Sequence, residues 1–284
     1  MTAWQVVQAT WGWEPSVVGG CLVLAAGYLA VAGAKLTRRA AAFFAGIVVL
    51  FLALDSPLDT LGDTYLFSAH MVQHLLLILI VPPLLLLGMP ASLVERARRV
   101  PWMRRPMSAL GAPAVAWGLG IGTMAVWHIP ALYEAALVRG GTHVVQHLSF
   151  LVTGTIFWWP VVAPADDARL GPLPAVLYLV AAALAGSVVG IVITFARVDL
   201  YPAYFLPVDR LGIEPLIRNG WGLSPEVDQE LGGLLMWIPG GLVYLSAILG
   251  VMARWYRTAE QTEPVAPADD DARAPRIAAG AVKG

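Results

Sequence analysis

Apolar runs long enough to cross a lipid bilayer recur along this chain, and that leaves few folds open to it. A span of the roughly 30 Å hydrocarbon core takes about 18 or more predominantly apolar residues in helical form. A segment in lipid must also satisfy its own backbone polar groups, which a helix does within itself. Composition agrees: 58% of the 284 residues are hydrophobic and 13% are charged, with a mean hydropathy of +0.70. Soluble domains carry about 25% charged residues. The expected fold class is all-α, a polytopic membrane bundle of seven transmembrane helices over roughly residues 17–34, 40–55, 67–89, 107–128, 143–163, 172–195 and 230–252. Residues 1–257 make the transmembrane domain. Residues 258–284, rich in Ala, Pro and Asp, have too little apolar content to fold alone and are expected to be a disordered cytoplasmic tail.

The formal net charge of −1 offers no basic face for phosphates, so nucleic acid is not expected as a partner. The single cysteine, Cys21, lies inside the first apolar run and can form no intramolecular disulfide. The first sixteen residues include Glu14 but no Lys or Arg, so the basic region of a signal peptide is missing.

Orientation follows from the basic residues. Lys35, Arg38, Arg39, Arg96, Arg98, Arg99, Arg104, Arg105, Arg169, Arg254 and Arg257 fall on one side of the expected bundle. Only Arg139, Arg197, Arg210 and Arg218 fall on the other. This places the amino terminus outside and the carboxyl terminus in the cytoplasm.

Four of the five histidines form one short pattern used twice, His70-Met71-Val72-Gln73-His74 and His143-Val144-Val145-Gln146-His147. A spacing of four puts both imidazoles of a pair on one helix face, about one turn apart. Each pair opens an inward-running span, and His128 closes an outward-running one, so all five are expected at one depth on the extracytoplasmic side. Interfacial histidines bonded to loop carbonyls would explain one such residue; two identical pairs in equivalent places point to metal. Neutral imidazole suits copper, zinc, iron and nickel. Gln73 and Gln146 could orient a ring or bond across helices.

Met124 lies four residues before His128, and a thioether is a soft ligand that favours cuprous copper. Met71 and Met236 could join, although methionine mostly fills packing gaps. Asp228 opens the seventh span, where it could be a carboxylate ligand or a helix cap. Gly232 and Gly233 would let another helix approach closely. Asp55, Asp59 and Asp63 read as a solvated face or a funnel for cations, and Pro82-Pro83 should bend the third span. The candidate metal set is therefore His70, His74, His128, His143, His147, Met124 and Asp228.

These residues resemble the CtaG family of integral-membrane cytochrome c oxidase assembly factors from bacteria. The likeness rests on Phe67-Ser68-Ala69-His70-Met71-Val72-Gln73-His74-Leu75-Leu76, on Pro82-Pro83 through Gly88-Met89-Pro90, and on Trp127-His128-Ile129-Pro130. His143 through His147, and Asp228-Gln229 followed by Gly232-Gly233 and Met236-Trp237, complete it over residues 17–255. The resemblance implies a protein needed to make an active terminal oxidase by delivering or inserting copper. Its partners would be cytochrome c oxidase subunits, a copper donor protein and the lipid bilayer. The leading expectation is a non-catalytic copper-binding assembly factor, with His70, His74, His143 and His147 holding the ion and His128 and Met124 auxiliary. A membrane haem-binding protein and a copper transporter stand as alternatives. A di-iron oxygenase is disfavoured, because such sites need about eight histidines.

Overall fold

A computed structural model describes residues 3–197 and 200–262, and among these every regular element is helical. The tail expected from Thr258 lies, from residue 263 onward, outside the described residues; the last helix runs on through Thr262. Five helices are long and apolar enough to cross a membrane, and seven spans result if each of two bent helix pairs counts as one.

A short amino-terminal helix, α1 (Ala3–Thr10), precedes α2 (Pro15–Ala32) and α3 (Arg38–Asp55). Ser56 and Pro57 end α3, and α4 (Pro57–Thr64) leaves at 43° to it, with the Ser56 hydroxyl capping its first turn. The span Phe67–Gly88 then runs as α5 (Phe67–Leu75), a π-turn over Leu76–Ile80, and α6 (Val81–Gly88). The prolines account for this break. Pro82 has no N–H for the carbonyl of Ile78, and the buried indole of Trp158 donates to it instead at 3.0 Å. The bend expected at Pro82-Pro83 is thus a local unwinding with its orphaned carbonyl satisfied from a neighbour.

Beyond this span come α7 (Ala91–Arg99) and α8 (Pro101–Leu110), two short amphipathic helices carrying the arginine cluster. α8 meets α9 (Pro113–Trp127) at a 70° bend, so the span expected over 107–128 is broken there, its first residues lying on α8 and the rest on α9. After α10 (Pro130–Val138) follow α11 (Gly140–Val162), α12 (Pro172–Thr194) and the long α13 (Pro225–Thr262).

The α5–α6 span is the centre of the bundle, with 56% of its most apolar window buried against 6% for α2. It packs on α3, α11 and α13, while α9 and α12 close the circle between α11 and α13. The α12–α13 crossing is close because Gly190 and Gly233 face each other; a Cβ on Gly190 would lie 2.9 Å from the Gly233 carbonyl. Gly232, as its sequence position suggested, receives the ring of Phe67.

A second, smaller core covers one end of the bundle. Val6 of α1, Tyr65, Leu66 and Ala69, and Ile213 and Ile217 from the α12–α13 connection bury one another there. Arg218 ties that connection down by donating to the carbonyls of Tyr204 and Leu223, each at 2.7 Å. Asp209 accepts from the amides of Ile213 and Glu214 and from the hydroxyl of Tyr65. Beneath this cap lie the histidines.

Candidate metal centre

Five imidazoles from three helical segments converge beneath the cap. Ring centroids are 4.3 Å apart for His70 and His74 on α5, and 4.0 Å for His143 and His147 on α11. Across the two helices, His70 lies 5.5 Å from His143 and 5.7 Å from His147, and His74 lies 5.8 Å from His147. His128, just past the end of α9, reaches His74 at 5.5 Å. The two four-residue spacings thus face each other, as expected of helices presenting paired rings at one depth.

Hydrogen bonds to carbonyls fix which nitrogen two of the rings offer. His70 directs Nδ1 at the carbonyl of Gly62 at 3.2 Å, and His128 directs Nδ1 at the carbonyl of Met124 at 2.6 Å. A carbonyl only accepts, so Nδ1 carries the proton and Nε2 presents a lone pair. Those lone pairs point into the cluster. Nε2 of His70 and His147, and both ring nitrogens of His74, are buried without a hydrogen-bond partner. One ligand atom from each of His70, His74 and His147 can be chosen so that all three lie within 4.8 Å of one another.

An unsatisfied buried polar group costs about 1–3 kcal/mol, so several in one place call for a partner the polypeptide does not supply. A cation is the partner that several lone pairs can share. Metal–imidazole bonds of about 2.0–2.1 Å would draw these nitrogens somewhat closer than this. The residues fit a metal ion.

A carboxylate adjoins the cluster at its cap side. Asp63 Oδ1 is 3.2 Å from His143 Nε2 and 3.8 Å from His70 Nδ1, the first approach lacking the alignment of a hydrogen bond. These three residues form a second group of potential ligands, sharing His70 with the first. The close passage of α4 over α5 sets this up: a Cβ on Gly62 would lie 3.0 Å from the backbone of His70. On the opposite side, Met71 Sδ is 3.4 Å from His128 Nε2. A cavity of about 20 Å³, room for about one water, lies between α5, α9, α12 and α13, with His74, His128, Met124 and Met236 among its lining residues.

The family model for the cytochrome c oxidase caa3 assembly factor matches residues 22–258. The chain belongs to that family. Uncharacterized proteins of Mycobacterium leprae and Mycobacterium bovis are 26% and 24% identical to it over 276 and 278 residues, covering 87% and 88% of the chain. This chain spans about 40% of the length of those curated relatives. No solved structure matches it. Family and repeated apolar helices together make it a bacterial multi-pass membrane protein.

In this caa3 assembly-factor chain the seven residues singled out by sequence fall into three places. His70, His74, His128, His143 and His147 form the cluster. Met124 borders it from the cavity, its terminal methyl directed at Gly186 and its carbonyl at His128. Asp228 stands apart from the ligand groups: its carboxylate accepts from the amides of Phe67 (2.7 Å) and Ser68 (3.0 Å) and from the Ser68 hydroxyl. With both oxygens accepting hydrogen bonds from the first turn of α5, it serves there as a cap that reaches across from α13. Gln73 likewise bonds across helices, to the carbonyl of Ala53 and to Asp59, and orients no imidazole by hydrogen bond.

Sequence reasoning read Asp63 only as part of a solvated face or a funnel for cations in the loop after the second span, and it did not single out the tyrosine roof. Tyr133 and Tyr204 share a hydrogen bond at 3.0 Å, Tyr204 donates to Gly62 at 2.8 Å, and Tyr201 donates to the carbonyl of His128 at 2.9 Å. Burial holds the phenols of Tyr133 and Tyr204 far above their ordinary range, so they stay protonated. Burial also pushes the Glu134 carboxyl up, although the amide of Ala203 donates to it. The recurrence of Tyr at 201 and 204, in a stretch otherwise read as loop, was the one available signal.

Proposed function

We propose that this chain binds copper as cargo at the histidine cluster and hands it to cytochrome c oxidase while the oxidase is assembled. The carrying observation is the group of buried ring nitrogens on His70, His74 and His147 that lie close together without a hydrogen-bond partner. The family supplies the process, and the thioether beside His128 favours copper over harder ions. The protein acts by ligand exchange and not as an enzyme. The basic residues on α7, α8 and the end of α13 set the histidine end on the extracytoplasmic face. A donor protein loads it there, and oxidase subunits receive the ion within the outer layer of the membrane.

Two rival readings have less support. The rings of His70, His74, His143 and His147 crowd one another at 4.0–5.8 Å, which leaves no slot for a porphyrin. A transporter needs a polar path onward, but Phe157, Trp158, Tyr178 and Tyr244, the last of which lines the cavity, pack into an aromatic layer next to it. The deciding measurement is copper content of purified protein. Wild-type chain is expected to hold copper stoichiometrically and the His74→Ala, His147→Ala double variant to lose it; wild-type copper in the variant would overturn the reading.

A further inference from the structure

The ligands around the histidines change character from the cap to the middle of the bundle. At the cap side stands a carboxylate, Asp63, with His143 and His70. Asp63 also lines a surface cleft of about 650 Å³ that opens between α4, the end of α10 and the Ala203–Leu211 stretch. Its side chain is 31% exposed, whereas His74 is 1% exposed and Met71 fully buried. At the deep side, His74 and His128 meet the thioether of Met71, and Met124 and Met236 share the cavity with them. Carboxylate oxygen suits hard and borderline cations; thioether sulfur suits soft, low-charge ones.

Resting on the copper reading above, we infer that the cluster is two stations and not one. A mouth station of Asp63, His70 and His143 receives the cation from the cleft, and a deep station of His74, His128 and the thioethers of Met71, Met124 and Met236 retains a soft monovalent ion. His70 belongs to the mouth group and also to the group with His74 and His147. Its ring therefore stays beside the ion while the other ligands are exchanged, so passage never requires a bare cation in an apolar setting. No electron transfer is involved; the ion keeps its charge throughout.

The two stations predict opposite responses to two probes. Cobalt(II), hard enough for carboxylate, should read the mouth station by its visible spectrum; silver(I), a redox-silent stand-in for cuprous ion, should read the deep one. In detergent-purified full-length chain, Asp63→Asn should weaken cobalt(II) binding by about tenfold or more. It should also slow silver(I) loading while leaving the final silver content unchanged. The triple change Met71→Leu, Met124→Leu and Met236→Leu should weaken silver(I) by a similar factor with cobalt(II) affinity unaltered. Asp63→Glu, which keeps the carboxylate, should restore the loading rate and so separates ligation from misfolding. Equal effects of both variants on both probes would mean a single centre and would overturn the inference while sparing the copper reading. Failure of the wild-type chain to bind either probe would overturn both.

Discussion

His74 occupies a position that a core built for stability alone would give to an apolar residue. It packs on Phe150 at 4.5 Å between ring centroids, and neither of its nitrogens has a hydrogen-bond partner. Stability is given up here for a binding site, as is common where function needs a strained or unsatisfied group. His74→Leu is accordingly expected to stabilise the metal-free chain by about 1–2 kcal/mol while weakening metal binding. Thermal unfolding in detergent with a chelator checks this, and a lower midpoint in the variant would show that the ring is held by something other than a cation. The four-residue spacing made this residue legible, because helix geometry alone puts His70 and His74 on one face. Asp63 was not legible in the same way. Its approach to His143 depends on α4 bending away from α3 at Ser56-Pro57, and nothing in the local sequence says over which neighbour that bend carries it.

At the scale of elements, the cluster depends on how α5 begins. Phe67 and Ser68 donate their amides to Asp228, a residue some 160 positions later in sequence, so the start of α5 is set by the start of α13. Asp228→Asn keeps the shape but loses one acceptor and the charge that favours a helix start. It is expected to cost about 1–2 kcal/mol while metal stoichiometry stays at the wild-type level. Loss of metal at unchanged stability would instead make Asp228 a ligand. The span centres were legible from apolar length, whereas their ends were not. The fourth span is broken between α8 and α9 by a 70° bend before Pro113, and Pro106 sits inside α8 without ending it. The crossing of α12 on α13 was half legible: Gly232-Gly233 announced a close neighbour, but which helix would supply Gly190 follows only from the fold.

For the whole molecule, the decisive question is which compartment meets the capped end. Leu206, 89% exposed beside the cleft, and Arg105, exposed on α8, lie at opposite ends of the expected topology. The native Cys21 is buried and gives a low background. In intact cells, a membrane-impermeant maleimide is expected to label Leu206→Cys, and to label Arg105→Cys only after lysis. The reverse pattern would place the histidines in the cytoplasm and remove the proposed route to the oxidase.

The π-turn over Leu76–Ile80 carries a consequence for how this protein can change. A π-turn is one residue more than an α-helix would use, and each residue of an α-helix turns the chain by about 100°. Excising a single leucine from that stretch would therefore let it close into an ordinary α-helix, with α6 still seated on α3 and α11 and the two halves of the span close to their present phase. The two imidazoles of α5 would still face those of α11, so a one-codon deletion at this turn is expected to spare the centre. A one-residue insertion has no such slack, because the wide turn is already used, and would swing the imidazoles by about 100°.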